Sequence, residues 1–552
     1  MELLLSHQTQ FVSIYSQTYR KTDPLVLMNS LQTLIVSLRK TIMTTQIASI
    51  QKAHFTILKL LFKLIVYTRD INGGLGERNL TYYMLFIWKY HFPLPTAYCL
   101  SKMVSHSSSP SIGSWRDIKG YCEVIKKYSE KGEQDPFIET CIGLMNHQLH
   151  DDMVTWNCAI NSYTRRDTAS ISSPIPSKIG ISLVCKWIPR ETSAHSWLFD
   201  LCAVQWIRAF RPKYFKTVGH CNERLRKAIL KGKREYRRVF TELSVACDTL
   251  EIKQCANKWE SIDPKHIPMR AMATHQRSLL NIGNMGNVRF KTANNAERAI
   301  CATRIQLWWA RLRSNKEKRP IFIEMGTIIK QSLRAKHPSE IYRTETLWSN
   351  VLNQLPEMPR GMIPVLDTSL FHTDPDSFYH ALGMAMIMSC KSPREQKQLV
   401  VFDITAQIVS LSGNLQQMME VIKPIFKEHH IGSDMKHAFT TILSSVPISV
   451  DDVLVIFSSN NNNNKSLVDA MCVFGNEPPS VLLWSEIGIY GTDLLKAFPI
   501  FVGYGNETLR HIAMMPAMKQ LTPFVFIQYL LGNSRYDLFD AYFDSMLRKN
   551  VE

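Results

Sequence analysis

The grammar of the chain changes at Gly361. Before it, apolar residues recur at three- and four-residue steps; after it, short apolar runs alternate with helical stretches. The first run, Met362–Leu366, ends abruptly in Asp367, Thr368 and Ser369. Further strand runs follow at Gln398–Asp403, Gln407–Ser410, Val453–Phe457, Val481–Trp484 and Ile500–Val502, with helical stretches near 376–390, 415–427, 434–445 and 507–516. Such alternation predicts a mainly parallel sheet covered on both faces. Open sheets of this kind place ligands at the C-terminal tips of their strands. An acid and hydroxyls at such a tip suit Mg²⁺. They suit an Asx-type turn that caps the next helix equally well.

Upstream of Gly361 the periodicity is helical. Leu25, Leu27, Met28, Leu31, Leu34, Ile35 and Leu38 form one apolar face, and Phe55, Leu58, Leu61, Phe62, Ile65 and Val66 form another. The second run ends in Arg69-Asp70-Ile71-Asn72-Gly73-Gly74-Leu75-Gly76-Glu77-Arg78. Its glycines permit a sharp inter-helical turn. Backbone N–H groups there could also meet a phosphate, but no strand precedes and no Gly-Lys-Ser/Thr follows, so the structural turn is favoured. Ser114, in Gly113-Ser114-Trp115-Arg116-Asp117, reads as the cap of a further helix. Helix, polar loop and helix suggest stacked hairpins, without a fixed repeat period. The stretch 161–180, rich in Ser, Thr, Pro and Arg, reads as an exposed linker. At 552 residues the chain exceeds one core, and it divides on this reading into 1–160, 161–180, 181–355 and 356–552.

Charge divides the same way. Residues 361–552 carry 13 Lys and Arg against 19 Asp and Glu, whereas residues 1–360 carry 52 against 28. A basic excess confined to one part points to a nucleic-acid partner for that part, the alternative being a merely solvated helical surface. Leu201–Leu250 is the most basic segment, with twelve Lys and Arg against four acids. Arg224, Arg226, Lys227, Lys231, Lys233, Arg234, Arg237 and Arg238 lie there, interleaved with Tyr214, Phe215 and Tyr236. Cations for phosphates and ring faces for bases are what single-stranded nucleic acid requires. Arg289, Lys291, Arg298, Arg304, Arg311, Arg313, Lys316, Lys318 and Arg319 continue the basic character.

Other classes are disfavoured by what is missing from the sequence. Its twelve cysteines include no Cys-x-x-Cys pair, so spacing suggests free thiols over zinc ligands or a disulfide framework. His-Glu-x-x-His and Gly-x-Ser-x-Gly are absent, and no enzyme is expected. The adjacent pairs His429-His430 and Asp451-Asp452 read as a solvated or capping pair and as a turn. No uncharged apolar run reaches about 18 residues, and no signal-peptide pattern opens the chain. A soluble cytoplasmic protein is expected, with no membrane partner.

Five short blocks, in order, carry a resemblance. They are Arg69–Arg78, Gly113–Asp117, Lys186-Trp187-Ile188-Pro189-Arg190, Tyr236-Arg237-Arg238 with Leu243, and Ile363–Ser369. Residues 361–505 resemble a von Willebrand factor A domain, and the whole chain resembles the TROVE-plus-A-domain layout of Ro-type proteins. It is most similar to the Ro-related family known as domain of unknown function 2828, of plants, microbes and large DNA viruses. The resemblance implies a multidomain chain: an all-α TROVE/HEAT-like helical-repeat region, then an α/β Rossmann-like A-type domain. It implies RNA held by the helical arc, single-stranded ends in a basic channel and structured RNA outside, with the A-like domain closing the ring or contacting a protein. A-type domains bind Mg²⁺ through an Asp-x-Ser-x-Ser loop, a Thr and a further Asp. Asp367 and Ser369 fit the first loop, but Phe371 replaces its second Ser. Ser433 stands for the Thr, and Ser459 occupies the acid's place, leaving Asp434 as a substitute carboxylate. The implied site is degenerate, with no cofactor or weakly bound Mg²⁺. The expected function is a non-enzymatic RNA-binding, ribonucleoprotein-type scaffold. The alternative is a structural or protein–protein interaction module, a viral particle being one setting for it, without a nucleic-acid ligand.

Overall fold

The computed structural model describes residues 2–18, 23–71, 73–104, 112–166, 180–216, 222–267, 269–283, 287–288, 295–313, 325–358, 361–425, 434–446, 448, 452–458, 469–475, 479–485, 500–502, 523–537, 539–540 and 544. Helices of eight or more residues are α1 (Glu2–Gln17), α2 (Pro24–Thr44), α3 (Ala48–Arg69), α4 (Asn79–His91), α5 (Pro93–Val104), α6 (Trp115–Tyr128), α7 (Pro136–Arg166), α8 (Ser196–Phe210), α9 (Asn222–Ala246), α10 (Asn295–Arg313), α11 (Met325–Arg334) and α12 (Pro338–Gln354). There follow β1 (Met362–Asp367), α13 (Pro375–Lys391), β2 (Gln398–Phe402), β3 (Ala406–Ser410), α14 (Leu415–Ile422), α15 (Met435–Ser445), β4 (Val453–Phe457), β5 (Ser480–Ser485), β6 (Ile500–Val502) and α16 (Pro523–Leu531). A helical region thus precedes an α/β region. None of the described helices is long and apolar enough to cross a membrane.

The chain forms two compact units, one of Met1–Met84 with Asp263–Glu552 and one of Leu85–Ile262. These cut the chain elsewhere than the sequence boundaries, because the first three helices fold with the last. Phe524 of α16 meets Phe11 of α1 edge-on, and Phe539 meets Phe62 of α3. Lys63 of α3 pairs with Asp540 at 2.7 Å and Lys59 with Asp544 at 2.9 Å. Sequence periodicity registers a helix's apolar face but not the distant segment that covers it. The linker reading of 161–180 also begins too early: α7 runs on to Arg166, and 167–179 lie outside the described residues.

In the first unit the predicted apolar face of α2 is buried from Leu27 through Leu38 and on to Ile42, while Leu25 is exposed beside the Asp23 cap. The glycine turn after α3 is built from its own backbone. Leu75 N–H donates to Tyr67 O at 3.1 Å, Gly76 N–H to Asp70 O at 3.0 Å, and Glu77 N–H to Thr68 O at 2.8 Å. Those three donors are consumed within the turn, as a structural turn requires.

The sheet has the order β3-β2-β1-β4-β5-β6, antiparallel only between β2 and β3. All six strand runs read from the sequence are present. Every residue of β1 and of β4 is buried. Successive side chains point to opposite faces, so both faces are covered. Glu345 of α12 accepts the Leu415 and Gln416 N–H groups at 3.1 and 2.7 Å, capping α14 with a carboxylate. Asp452 pairs with Arg394 at 2.8 Å just before β4. His429, His430 and the stretch 507–516 lie outside the described residues.

In the second unit α6, α7, α8 and α9 enclose Tyr121, Cys122, Met145, Cys202, Trp206 and Tyr236, all at most 0% exposed. One polar node is satisfied at its centre: Asn146 donates to Cys202 O at 2.9 Å and accepts from the Tyr236 hydroxyl at 2.9 Å. Gly232 lets α9 approach α8, since a Cβ there would meet Ile207 Cδ1 at 2.3 Å.

Candidate functional site

The first candidate lies at the sheet's switch point, where the strand order turns from β2 on one side of β1 to β4 on the other. Asp367, fully buried, ends β1. Its Oδ1 accepts the Ser369 N–H at 3.0 Å and hydroxyl at 2.6 Å, and its Oδ2 accepts the Ser458 hydroxyl at 2.7 Å. Thr368 fastens the tip to β2, donating its N–H and hydroxyl to Phe402 O at 2.8 and 3.0 Å. Beside it, Asp403 accepts the Thr405 N–H and hydroxyl at 2.8 and 3.0 Å.

Asp367 and Ser369 therefore meet as the sequence suggested. Ser433 and Ser459 lie outside the described residues. Asp434 reaches the tip of β2 through its backbone, donating its N–H to Asp403 O at 2.6 Å. Its exposed side chain caps α15, accepting the His437 N–H at 3.1 Å. Phe371 is a packing residue, with ring centroids 5.4 Å from Phe378 and 6.1 Å from Tyr379. Among the described residues no group of three or more His, Cys, Asp or Glu side chains is placed to share a metal ion.

The second candidate is α9. Its inner face is Gly232, Tyr236, Val239, Phe240 and Leu243, all buried. Spacing alone puts the cations elsewhere: Arg224, Lys227, Lys231, Arg234 and Arg238 follow one another at steps of three and four, and all are exposed. That stripe runs about 21 Å along the helix. Lys227 and Arg238 pair with Glu223 and Glu242 of the same helix. Exposed pairs of this kind are weak and yield readily to a phosphate. Arg224 and Arg234 have no ion-pair partner among the described residues. Arg226 is exposed on the flank, Lys233 pairs with Asp200 at 2.5 Å, and Arg237 pairs with Glu191.

Glu235 fixes the neighbouring loop to the helix, accepting from Arg211 Nε at 2.7 Å and the Tyr214 hydroxyl at 2.5 Å. Burial pushes the Glu235 carboxyl up, but these hydrogen bonds and Arg211 outweigh it and leave it below its ordinary value. Lys231 lies 5.3 Å over the half-buried Tyr214 ring.

Tyr236 requires a correction. Expected as a stacking face beside the cations, it is fully buried, 5.4 Å from Trp206 and 5.6 Å from Phe240 by ring centroid. Helical spacing places residue 236 four short of Phe240 and three short of Val239, on the apolar face, and that signal was available in the sequence. Arg298 is likewise buried, although Arg304 and Arg311 are exposed.

Ser458 as a partner of Asp367 was not legible, because it follows a strand whose neighbour in the sheet is fixed only by topology. A cluster around Trp187 was also missed. Arg116 and Lys119 of α6, with Lys186, lie 5.5, 5.8 and 5.8 Å from the centroid of its ring.

Fold and sites together define a class: a cation-faced helical unit in one chain with a unit whose open α/β sheet carries an acid–hydroxyl cluster at its switch point. No family model, no curated protein and no solved structure matches the chain.

Proposed function

We propose that the protein is a non-enzymatic RNA-binding scaffold of the Ro-like type. On this reading the basic helical unit holds single-stranded or structured RNA without sequence preference. The observation that carries it is the α9 stripe, five exposed cations in register on the face opposite a packed core. The five cations of the stripe exceed the two acids paired with them, Glu223 and Glu242; a helix merely kept soluble has no need of that excess, and a phosphate backbone rewards it. With Tyr236 withdrawn into the core, affinity on this face comes from charge and not from base stacking.

The strand order and the Asp367–Ser369 turn support reading the α/β region as an A-type domain. There one carboxylate and two hydroxyls, already hydrogen-bonded to each other, give a hard divalent cation little charge. We take this corner as a degenerate metal site whose domain serves protein contact or closure.

Titration of the whole chain with a fluorescein-labelled single-stranded RNA over a range of KCl concentrations tests the proposal. Binding should weaken steeply with salt, and Arg224→Gln with Arg234→Gln should lower the slope of log Kd against log salt by about 1.4, at about 0.7 per phosphate contact. Absence of RNA binding, or binding indifferent to salt, supports instead the protein-interaction module.

A further inference from the structure

Two blocks of sequence far apart in the chain come together at Trp187. Arg116 and Lys119 stand one turn apart on α6, and Lys186 and Trp187 form part of the one-turn helix Val184–Trp187. The three cationic heads lie within 6 Å of one half-buried indole, at 5.5, 5.8 and 5.8 Å.

Among the described residues, only Lys186 of the three cations is neutralised by a nearby acid. Glu251 pairs with Lys186 at 2.7 Å. Glu123 is engaged by His195 Nδ1 at 2.5 Å and Trp197 Nε1 at 2.9 Å. Asp117 is buried and accepts the Ser114 N–H at 2.7 Å. Arg116 is exposed, and neither it nor Lys119 has an ion-pair partner among the described residues. Burial and the Arg116 charge lower the Lys119 ammonium below its ordinary value, with Glu123 opposing. Arg116 and Lys119 share one π surface with Lys186, and the ring attracts each of them but does not cancel the repulsion between the two that have no ion pair among the described residues. An anion with several oxygens does cancel it.

We propose that Arg116, Lys119 and Lys186, gathered on the ring of Trp187, form a phosphate-binding site that takes a phosphodiester of bound RNA. This rests on the RNA-binding reading for the source of the phosphate, though not for the site itself. The guanidinium supplies a planar fork and the ammonium groups supply point charges. With the ring occupied by cations, the contact is to backbone and carries no base preference.

The whole chain and its Arg116→Gln/Lys119→Gln variant are titrated by calorimetry with inorganic pyrophosphate, and separately with labelled single-stranded RNA in KCl. Pyrophosphate should bind the wild type, bind the variant about tenfold more weakly or not at all, and bind Arg116→Lys/Lys119→Arg nearly as the wild type. For RNA, loss of the two cations should lower the salt slope by about 1.4. Equal pyrophosphate responses of wild type and Arg116→Gln/Lys119→Gln, none included, overturn the site. Loss of pyrophosphate binding in that variant, beside RNA binding with unchanged Kd and slope, upholds a phosphate site and overturns RNA as its source. A wild type that binds no RNA overturns the RNA reading alone, and the pyrophosphate arm then decides the site.

Discussion

Asp70 and Arg535 form an ion pair across 465 positions of sequence, with Arg535 Nη2 donating to Asp70 Oδ1 at 2.9 Å and Nε donating to Oδ2. Asp70 is fully buried and also accepts the Tyr536 hydroxyl at 3.0 Å. The pair ties the glycine turn after α3 to the segment after α16, within one compact unit. Removing one member strands the other's charge, and that costs about 3–5 kcal/mol. Asp70→Asn and Arg535→Gln should each lower the urea midpoint of this unit. The double variant should lose clearly less than the sum; additive losses would show that the two do not act as a pair.

The glycine turn itself tolerates little. A Cβ at Gly74 would lie 1.9 Å from the Tyr67 carbonyl oxygen, which already accepts the Leu75 N–H at 3.1 Å. Gly74→Ala must open the turn and should cost more than about 2 kcal/mol by urea denaturation. Gly76, at φ +68 with open space around it, should lose only the left-handed backbone cost of about 1–2 kcal/mol on Gly76→Ala. A reversed ranking would mean that the close approach is relieved elsewhere.

Acid should weaken the second unit through Asp135. Burial pushes its carboxyl up, but the Lys89 ammonium at 2.5 Å, the Ser129 hydroxyl at 2.6 Å and the Phe137 N–H outweigh that and leave it below its ordinary value. A carboxyl depressed in the folded state contributes stability above its unfolded value, about 3.9, and loses it as pH falls through the folded value. Thermal midpoints should therefore drop below about pH 4. Asp135→Asn should be less stable than wild type at pH 7 and should flatten that acid limb; an unchanged limb removes Asp135 from the account.

Calorimetry of the whole chain with MgCl2 should give millimolar or weaker binding, because Asp367 brings one carboxylate whose oxygens already accept Ser369 and Ser458. The whole chain is needed, since α1 to α3 belong to the same compact unit as the sheet. Asp367→Asn should destabilise by about 1–3 kcal/mol with or without Mg²⁺, through its lost hydroxyl partners. A micromolar Kd abolished by Asp367→Asn would restore a working metal site.

Short-range pattern carried much of this molecule. Apolar runs bounded by turn residues marked all six strands, and three- and four-residue steps marked the buried faces of α2 and α3. Both signals are local, because a side chain's direction in a strand or helix is fixed by its position within that element. The same rule, applied to α9, separates the cation stripe from Tyr236. The Ser114–Asp117 capping box was legible in part, through Ser114, since it spans one turn.

The sequence by itself determined the order of elements, the sheet's strands, the basic excess before Gly361 and the acid–hydroxyl turn at Asp367. Tertiary structure alone decided which of these meet: Ser458 with Asp367, Arg116 and Lys119 with Trp187, and Asp70 with Arg535. Each of those contacts joins segments that no local periodicity relates. Their pairing is set by which buried faces pack and by where the strand order reverses, and those are properties of the whole fold.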